Sequence, residues 1–212
     1  MELLHYLTDI ILHIDKHLAA IISEYGGLTY GILFLVIFVE TGFIVMPFLP
    51  GDSLLFASGA FAAMDALNLS WVLGLLSVAA IIGDTVNYWI GRKLGQRAYK
   101  LSWVNHQHLD KAQAFYEANG GKTIILARFV PVVRSFAPFV AGIGKMPYGY
   151  FLSYNIIGGL AWVTVCAGAG YFFGNIPVVK QNFELVILAI VLISFLPVIF
   201  EVLKARKQAA NR

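Results

Sequence analysis

Four charged side chains stand inside long apolar stretches of the sequence, where charge is costly and usually functional. Glu40 and Asp52 interrupt one apolar run, and Arg128 and Arg134 interrupt a second one. A charge inside a bilayer costs about 2.5–3.5 kcal/mol even on the lenient insertion scale. The first run carries negative charges and the second carries positive ones. We therefore predict that carboxyls of the first run meet guanidiniums of the second in one polar pocket.

The two acids are candidate proton carriers. Glu40 lies deep in an apolar run, where a carboxyl can take up and release a proton; the plainer alternative is a protonated carboxyl that is hydrogen-bonded to a neighbouring helix. Asp52 follows Pro50-Gly51 and precedes an apolar run, a pattern typical of a helix start. It is therefore an N-cap, a proton site at the terminus of a half-helix, or both.

The two arginines are candidate phosphate ligands. Arginine keeps its charge, so Arg128 and Arg134 need an anionic partner at membrane depth. The planar guanidinium fork grips phosphate through two parallel hydrogen bonds, and two such forks near a helix break would form a phosphate cradle. The alternative is structural pairing with Glu40, Asp52 or Asp84.

A third polar group lies on one helical face. Asp84, Asn87 and Tyr88 follow i, i+3, i+4 spacing, with Arg92 two turns further on. We interpret this face as an ion-pair and packing site, and its participation in a transport path stays open.

Other chemistry is not indicated. His106 and His108 lie in an expected cytoplasmic loop without further ligands, so a metal site is not predicted. The single Cys166 excludes an internal disulfide and a cysteine-based metal cluster. No basic stripe interleaved with aromatics indicates nucleic acid, and no nucleotide-binding or triad motif is visible. We therefore expect a protein that is not an enzyme and that holds no cofactor or metal.

The composition indicates the environment of these charges. The 212 residues are 59% hydrophobic and only 13% charged, whereas a soluble domain is about a quarter charged. So few charged residues cannot cover the surface of a water-soluble protein of this size, which excludes a soluble enzyme. The high hydrophobic content also excludes a disordered chain. The sequence predicts an all-α integral membrane protein.

Three stretches predict spanning helices and two predict broken ones. About 20 apolar residues cross the hydrocarbon core, and three stretches satisfy this length: 69–90, 151–173 and 183–203. Prolines interrupt two others, 28–64 at Pro47 and Pro50, and 123–146 at Pro131 and Pro138. Broken backbone survives at membrane depth only if it is buried in protein or lines a wet cavity. We therefore predict two re-entrant helical hairpins.

The lysines and arginines predict the orientation. They concentrate in 91–122 and in the tail 204–212, which the positive-inside rule places in the cytoplasm. The hairpins then enter from opposite sides, giving an inverted repeat within one transport domain, 26–203, as in secondary transporters. Residues 1–25 carry apolar residues at three-four spacing, which predicts an amphipathic interfacial helix on an undetermined side.

Several motifs together resemble the bacterial DedA family of membrane proteins. The motifs are Glu40-Thr-Gly, Phe48-Leu-Pro-Gly-Asp-Ser-Leu-Leu55, Gly83-Asp-Thr-Val-Asn-Tyr-Trp-Ile-Gly-Arg92, Gly120-Gly-Lys-Thr, Arg128-Phe-Val-Pro-Val-Val-Arg134 and Asn155-Ile-Ile-Gly. The resemblance implies two opposed re-entrant hairpins, a fold shared with eukaryotic lipid scramblases of related domain type.

The resemblance also implies a function. The implied function is that of a lipid flippase, which returns undecaprenyl phosphate across the bacterial cytoplasmic (inner) membrane. The resemblance implies that this transport depends on the proton motive force, and that some family members use sodium. Family acidic residues match Glu40 and Asp52, and family arginines match Arg128 and Arg134. Asn155 joins the supporting polar residues.

Two other function classes stay open at this point. A proton-coupled antiporter of sodium, potassium or an osmolyte would use the same carboxylates without a phosphate cradle. An intramembrane lipid phosphatase would need a histidine near the arginines. The lipid substrate, the coupling ion and assembly into a homo-oligomer are not determined by the sequence.

Overall fold

The computed structural model describes residues 26–43, 51–94, 106–130 and 133–181, and these residues are mostly helical. The α-helices in them are α1 (Gly26–Gly42), α2 (Gly51–Ala62), α3 (Leu69–Leu94), α4 (His106–Asn119), α5 (Thr123–Leu126), α6 (Val133–Ile143), α7 (Tyr148–Gly174) and α8 (Pro177–Gln181). Short 3-10 turns, Gly120–Lys122 and Ala127–Phe129, flank α5. No strand occurs within these ranges, in agreement with the predicted all-α class.

Two of the described helices are long enough to cross a membrane. α3 has 26 residues and α7 has 27, so they are about 39 and 40 Å long and exceed the hydrocarbon thickness of about 30 Å. Both extend beyond the predicted spans 69–90 and 151–173. Large apolar side chains stay exposed on them, for example Trp71 and Ile157, as expected of helices surrounded by lipid. The third predicted span, 183–203, lies outside the described residues, as do 1–25 and 204–212.

In both apolar runs a described helix ends before a proline and another begins after it. α1 ends at Gly42 and α2 begins at Gly51, so Pro47 and Pro50 fall between them. In the second run the 3-10 turn ends at Phe129 and α6 begins at Val133, on either side of Pro131.

Two expectations about local structure are wrong. Pro138 lies inside α6 rather than interrupting it. Burial covers almost the whole of α6, and this packing outweighs the helix penalty of about 3 kcal/mol for an interior proline. The loop expected around His106 and His108 is also wrong, because α4 begins at His106 and continues to Asn119.

The chain divides into two compact units. Within the described residues, the first unit comprises 26–31, 51–72 and 166–181, and the second comprises 32–43, 73–94, 106–130 and 133–165. In the first unit, α2 and the end of α7 pack closely: Phe56 contacts Phe173 with ring centroids 5.5 Å apart.

The second unit has an apolar core around α6. Phe136, Phe139 and Val140 of this helix are at most 1% exposed and pack with Leu109 of α4. α6 also lies close to α3, because a Cβ on Gly142 would overlap the backbone of α3. The two helices are thereby held at a separation that only glycine permits.

A buried charge cluster as the candidate functional site

A glycine contact brings the end of α1 against α3. A Cβ on Gly83 would collide with the Thr41 hydroxyl and would lie 3.0 Å from the Phe38 carbonyl oxygen. Because Glu40 precedes Thr41 and Asp84 follows Gly83, this close approach places the two acids in the same region of the second unit.

Arg128 forms the more deeply buried of two ion pairs. Its Nη2 donates a hydrogen bond to Oδ2 of Asp84 at 2.5 Å and another to Oδ1 of Asn155 at 2.6 Å. Both charged side chains are 5% exposed. Hydrogen bonds from a charged donor are the strong ones in proteins, and the guanidinium is held from two helices, α3 and α7.

Asn155 is itself held in place by α3. Its Nδ2 donates to the Ile81 carbonyl oxygen at 2.9 Å, and Thr85 Oγ1 lies 3.4 Å away. These contacts fix the amide so that its oxygen faces the guanidinium. Space for the arginine comes from Gly158 on the same helix, where a Cβ would lie 3.2 Å from Cδ of Arg128.

Arg134 forms the second ion pair. It lies in the first turn of α6, and its Nη2 donates to Oε1 of Glu40 near the end of α1. The Glu40 side chain is 2% exposed, but that of Arg134 is 16% exposed. The two pairs therefore differ, because one guanidinium is almost fully enclosed whereas the other retains access to the outside of the protein.

Asn87 connects the backbones that carry the second pair. Its Nδ2 donates to the carbonyl oxygen of Thr41 at 3.1 Å and to that of Ser135 at 2.8 Å. One amide on α3 thus bonds to the residue after Glu40 and to the residue after Arg134. This linkage fixes the distance between the two chain segments across which the ion pair forms.

An indole completes the cluster. Trp162 of α7 is 2% exposed, and its ring centroid lies 5.8 Å from Cζ of Arg128 and 5.4 Å from Cζ of Arg134. Both distances are within the range of about 6 Å for a cation–π interaction.

These residues surround one cavity with an empty volume of about 280 Å³, counted out to its opening. The lining residues are Glu40, Thr41, Asp84, Arg128, Arg134, Ser135 and Trp162. The charged members, two acids and two arginines, balance one another. The cavity is therefore polar but carries no net charge when both acids are ionised.

The predicted convergence of charges is observed for one of the two candidate acids. Glu40, Arg128 and Arg134 line one cavity, and the alternative of structural pairing is present as well, with Asp84 as the partner of Arg128. Asp52 belongs to the first unit, lies exposed in the first turn of α2 and is not a lining residue. Its role in proton coupling stays a prediction.

Tyr88 lies one turn after Asp84 on α3 and does not line the cavity. Its hydroxyl donates to the Met146 carbonyl oxygen at 2.5 Å and accepts a hydrogen bond from Arg92 at 2.6 Å. Its ring stacks on Phe151 at a centroid distance of 4.4 Å. Tyr88 therefore joins α3 to the start of α7, which agrees with the packing role expected for this polar face.

Sequence reasoning did not single out three lining residues, namely Thr41, Ser135 and Trp162. The first two directly follow charged residues that were recognised. Trp162 lies seven positions after Asn155, and a spacing of seven places both on one face of a helix. This shared face with Asn155 is a weak signal, because a tryptophan in an apolar helix is ordinary.

The chain is similar to a protein family and to several individual proteins. Residues 49–172 match the family model described as the VTT domain. Protein DedA of Escherichia coli K12 is 51% identical over all of this chain and 99% of its own length. An uncharacterized membrane protein of Mycobacterium leprae is 42% identical over 76% of this chain and 74% of its own.

A further relative is the inner membrane protein YqjA of Escherichia coli K12, which is 34% identical over 72% of this chain and 70% of its own length. No solved structure matches the chain. The matched VTT region includes Asp84, Arg128, Arg134 and Trp162, whereas Glu40 precedes it. This chain belongs to the DedA family of membrane proteins, and its VTT domain carries most of the buried charge cluster.

Proposed function

We propose that this protein is a proton-motive-force-dependent lipid transporter that returns undecaprenyl phosphate across the bacterial inner membrane. The observation that carries the proposal is the buried cluster, in which two guanidiniums pair with two carboxylates between apolar helices of a DedA family member. The name of the relative YqjA supports the inner membrane as the location.

The guanidiniums supply the chemistry that a lipid phosphate needs. A phosphate monoester carries about −1.5 to −2 charges at neutral pH and cannot enter an apolar environment alone. Arg134 is the first contact, since its side chain keeps partial exposure, and Arg128 lies deeper. The apolar tail of the lipid stays in the bilayer while the phosphate passes through the cavity.

Charge balance links the phosphate to a proton. The cavity is neutral while both acids are ionised. An entering phosphate therefore adds negative charge, which is partly compensated if one carboxylate is protonated. Protonation of Glu40 removes one negative charge and releases Arg134 to the phosphate. An inward-moving proton contributes about 2.3 kcal/mol per 100 mV of membrane potential, which biases the exchange of partners.

The proposal includes the membrane architecture. The runs 28–64 and 123–146 form two opposed re-entrant hairpins, and the C-terminal tail lies in the cytoplasm. The helix breaks on either side of Pro131 and between α1 and α2 support this arrangement. Asp52 in the first turn of α2 is the other candidate proton site in this scheme.

One observation favours the second candidate, a proton-coupled antiporter of sodium or potassium. Both guanidiniums already have carboxylate partners, so the cavity is not a preformed anion site. In an antiporter the arginines would only regulate the carboxylates, and a lysine could replace either of them with little effect.

The test is transport of labelled undecaprenyl phosphate in vesicles that contain the purified protein, with and without a pH gradient. We expect gradient-dependent transport that Arg134→Lys reduces at least about tenfold, because an ammonium cannot reproduce the two-point grip of a guanidinium. Lys93→Gln is the matched control, since this exposed cation on α3 lies outside the cavity.

Two results separate the candidates. No lipid transport by the parent protein, together with exchange of sodium or potassium for protons that needs no undecaprenyl phosphate and persists in Arg134→Lys, would establish the antiporter instead. Loss of gradient dependence in Glu40→Gln, with Lys93→Gln unaffected, supports the proton-linked exchange of partners.

A further inference from the structure

We propose that Trp162 is a positioning residue that keeps the Arg134 guanidinium in the cavity while Glu40 is neutral, an inference that rests on the transport cycle proposed above. The indole is buried, lines the cavity and lies within cation–π distance of both arginines. It would therefore be a transport residue that carries no charge itself.

The argument begins with the moment at which an ion pair opens. When Glu40 takes up a proton, Arg134 loses its ion-pair partner, and the Asp84 carboxylate that also attracts it stays paired with Arg128. A guanidinium cannot lose its own proton to follow, and it would otherwise turn toward water. The face of an indole attracts a cation through its quadrupole, and this attraction does not depend on proton uptake.

The two arginines do not need the indole equally. Arg128 keeps Asp84 and Asn155 as hydrogen-bond partners when Glu40 is protonated. Arg134 is closer to the ring, with Cζ 5.4 Å from the centroid, and its ion pair is the one that opens in the proposed cycle. The effect of Trp162 should therefore be greatest when Glu40 is uncharged.

Trp162 could also act only by filling space between α7 and its neighbours. Fluorine substitution separates the two explanations, because fluorine withdraws electron density from the ring face while the shape of the side chain is almost unchanged. Packing predicts no trend with the number of fluorine atoms. The cation–π interaction predicts a graded loss.

The experiment incorporates tryptophan analogues with increasing fluorine content site-specifically at position 162 of the full-length protein. The same analogues at Trp71, a residue that is 66% exposed, are the matched control. Thermal midpoints are measured in the parent protein and in Glu40→Gln, which imitates the protonated acid. Transport of undecaprenyl phosphate is measured in vesicles made from the parent series.

We expect the thermal midpoint to fall stepwise with fluorine content at position 162, and more steeply in Glu40→Gln than in the parent. Transport should fall about tenfold across the series, which corresponds to about 1.4 kcal/mol. Analogues at position 71 should change neither quantity. Trp162→Phe should retain more transport than Trp162→Leu, because only phenylalanine preserves an aromatic face.

The outcomes are distinguishable from failure of the proposed function. Flat midpoints at position 162 in Glu40→Gln would overturn the positioning role and leave Trp162 a packing residue. A fluorine trend in midpoints but not in measurable transport would overturn its role in the cycle. Graded midpoints without lipid transport in any variant, including the parent, would refute the proposed function while the contact between Trp162 and the arginines stands.

Discussion

The two ion pairs should respond differently when one partner is removed, and the Asp84–Arg128 pair gives the sharper test. Asp84→Asn preserves the shape of the side chain and an oxygen that accepts the hydrogen bond from Arg128. It removes only the negative charge. The remaining guanidinium is 5% exposed, so it stays buried with Asn155 as a neutral partner.

The expected cost follows from the burial of both side chains. Removing one partner of a buried ion pair destabilises a protein by about 3–5 kcal/mol, and one unpaired charge at membrane depth costs about 2.5–3.5 kcal/mol on the insertion scale. For a chain of this size 1 kcal/mol corresponds to about 2–4 °C. The thermal midpoint of Asp84→Asn should therefore fall by about 6–20 °C.

A second substitution should restore much of this loss. Arg128→Gln in the Asp84→Asn background removes the unpaired charge while glutamine can still donate to Asn155. Replacing both members of a buried pair is often close to neutral, so the double variant should recover at least half of the lost midpoint. Glu40→Gln should lose less, about 1.5–3 kcal/mol, because Arg134 is partly exposed.

The assay is the thermal midpoint of purified protein in detergent, followed by the fraction that stays monodisperse after heating. Glu117→Gln is the matched control, because this carboxylate on α4 is exposed and accepts a hydrogen bond from Gln113 of the same helix. Equal midpoints for Asp84→Asn and Glu117→Gln, or a double variant less stable than Asp84→Asn, would refute the assignment of this pair as the buried structural one.

Three further substitutions test the packing that positions the cluster. Gly83→Ala should lower both the thermal midpoint and transport, because the added Cβ would collide with α1. Its control is Gly74→Ala on the same helix, where a Cβ has open space; this change should be neutral or stabilising by up to about 1 kcal/mol. Similar midpoints for the two variants would contradict the close contact. Asn87→Leu removes two buried hydrogen bonds and should cost about 2–3 kcal/mol, measured as a lower midpoint; an unchanged midpoint would show that this amide does not link the two segments. Tyr88→Phe should cost about 1–2 kcal/mol by the same measurement, with the exposed Tyr150→Phe as its control; no difference between the two would refute the role of the Tyr88 hydroxyl.

Much of the fold was predictable because it depends on local composition. Apolar length predicted α3 and α7, and prolines predicted that α1 and α2 are separate helices and that α6 begins only after Pro131. The prediction failed at Pro138, where tertiary packing around α6 overrides a local helix-breaking signal. It also missed the helical backbone of α4, whose sequence has only a weak apolar periodicity.

The candidate site was predictable in its residue types but not in its pairing. Charges inside apolar runs are conspicuous, so Glu40, Arg128 and Arg134 could be recognised one by one. Trp162 could not be recognised in the same way, because a tryptophan in an apolar helix is ordinary until two guanidiniums are found beside its ring.

By itself, the sequence determined that this is an all-α membrane protein with breaks in two apolar runs. It also determined that one run carries acidic residues and the other carries arginines. Only the tertiary structure decided which acid forms an ion pair with which arginine. Arg134 and Glu40 are 94 positions apart in the chain, and Arg128 and Asp84 are 44 apart. Such pairs form through the close approach of α1, α3 and α6 at glycines and through the amides of Asn87 and Asn155. Residue periodicity specifies the face of a helix, whereas the packing of helices specifies which faces meet.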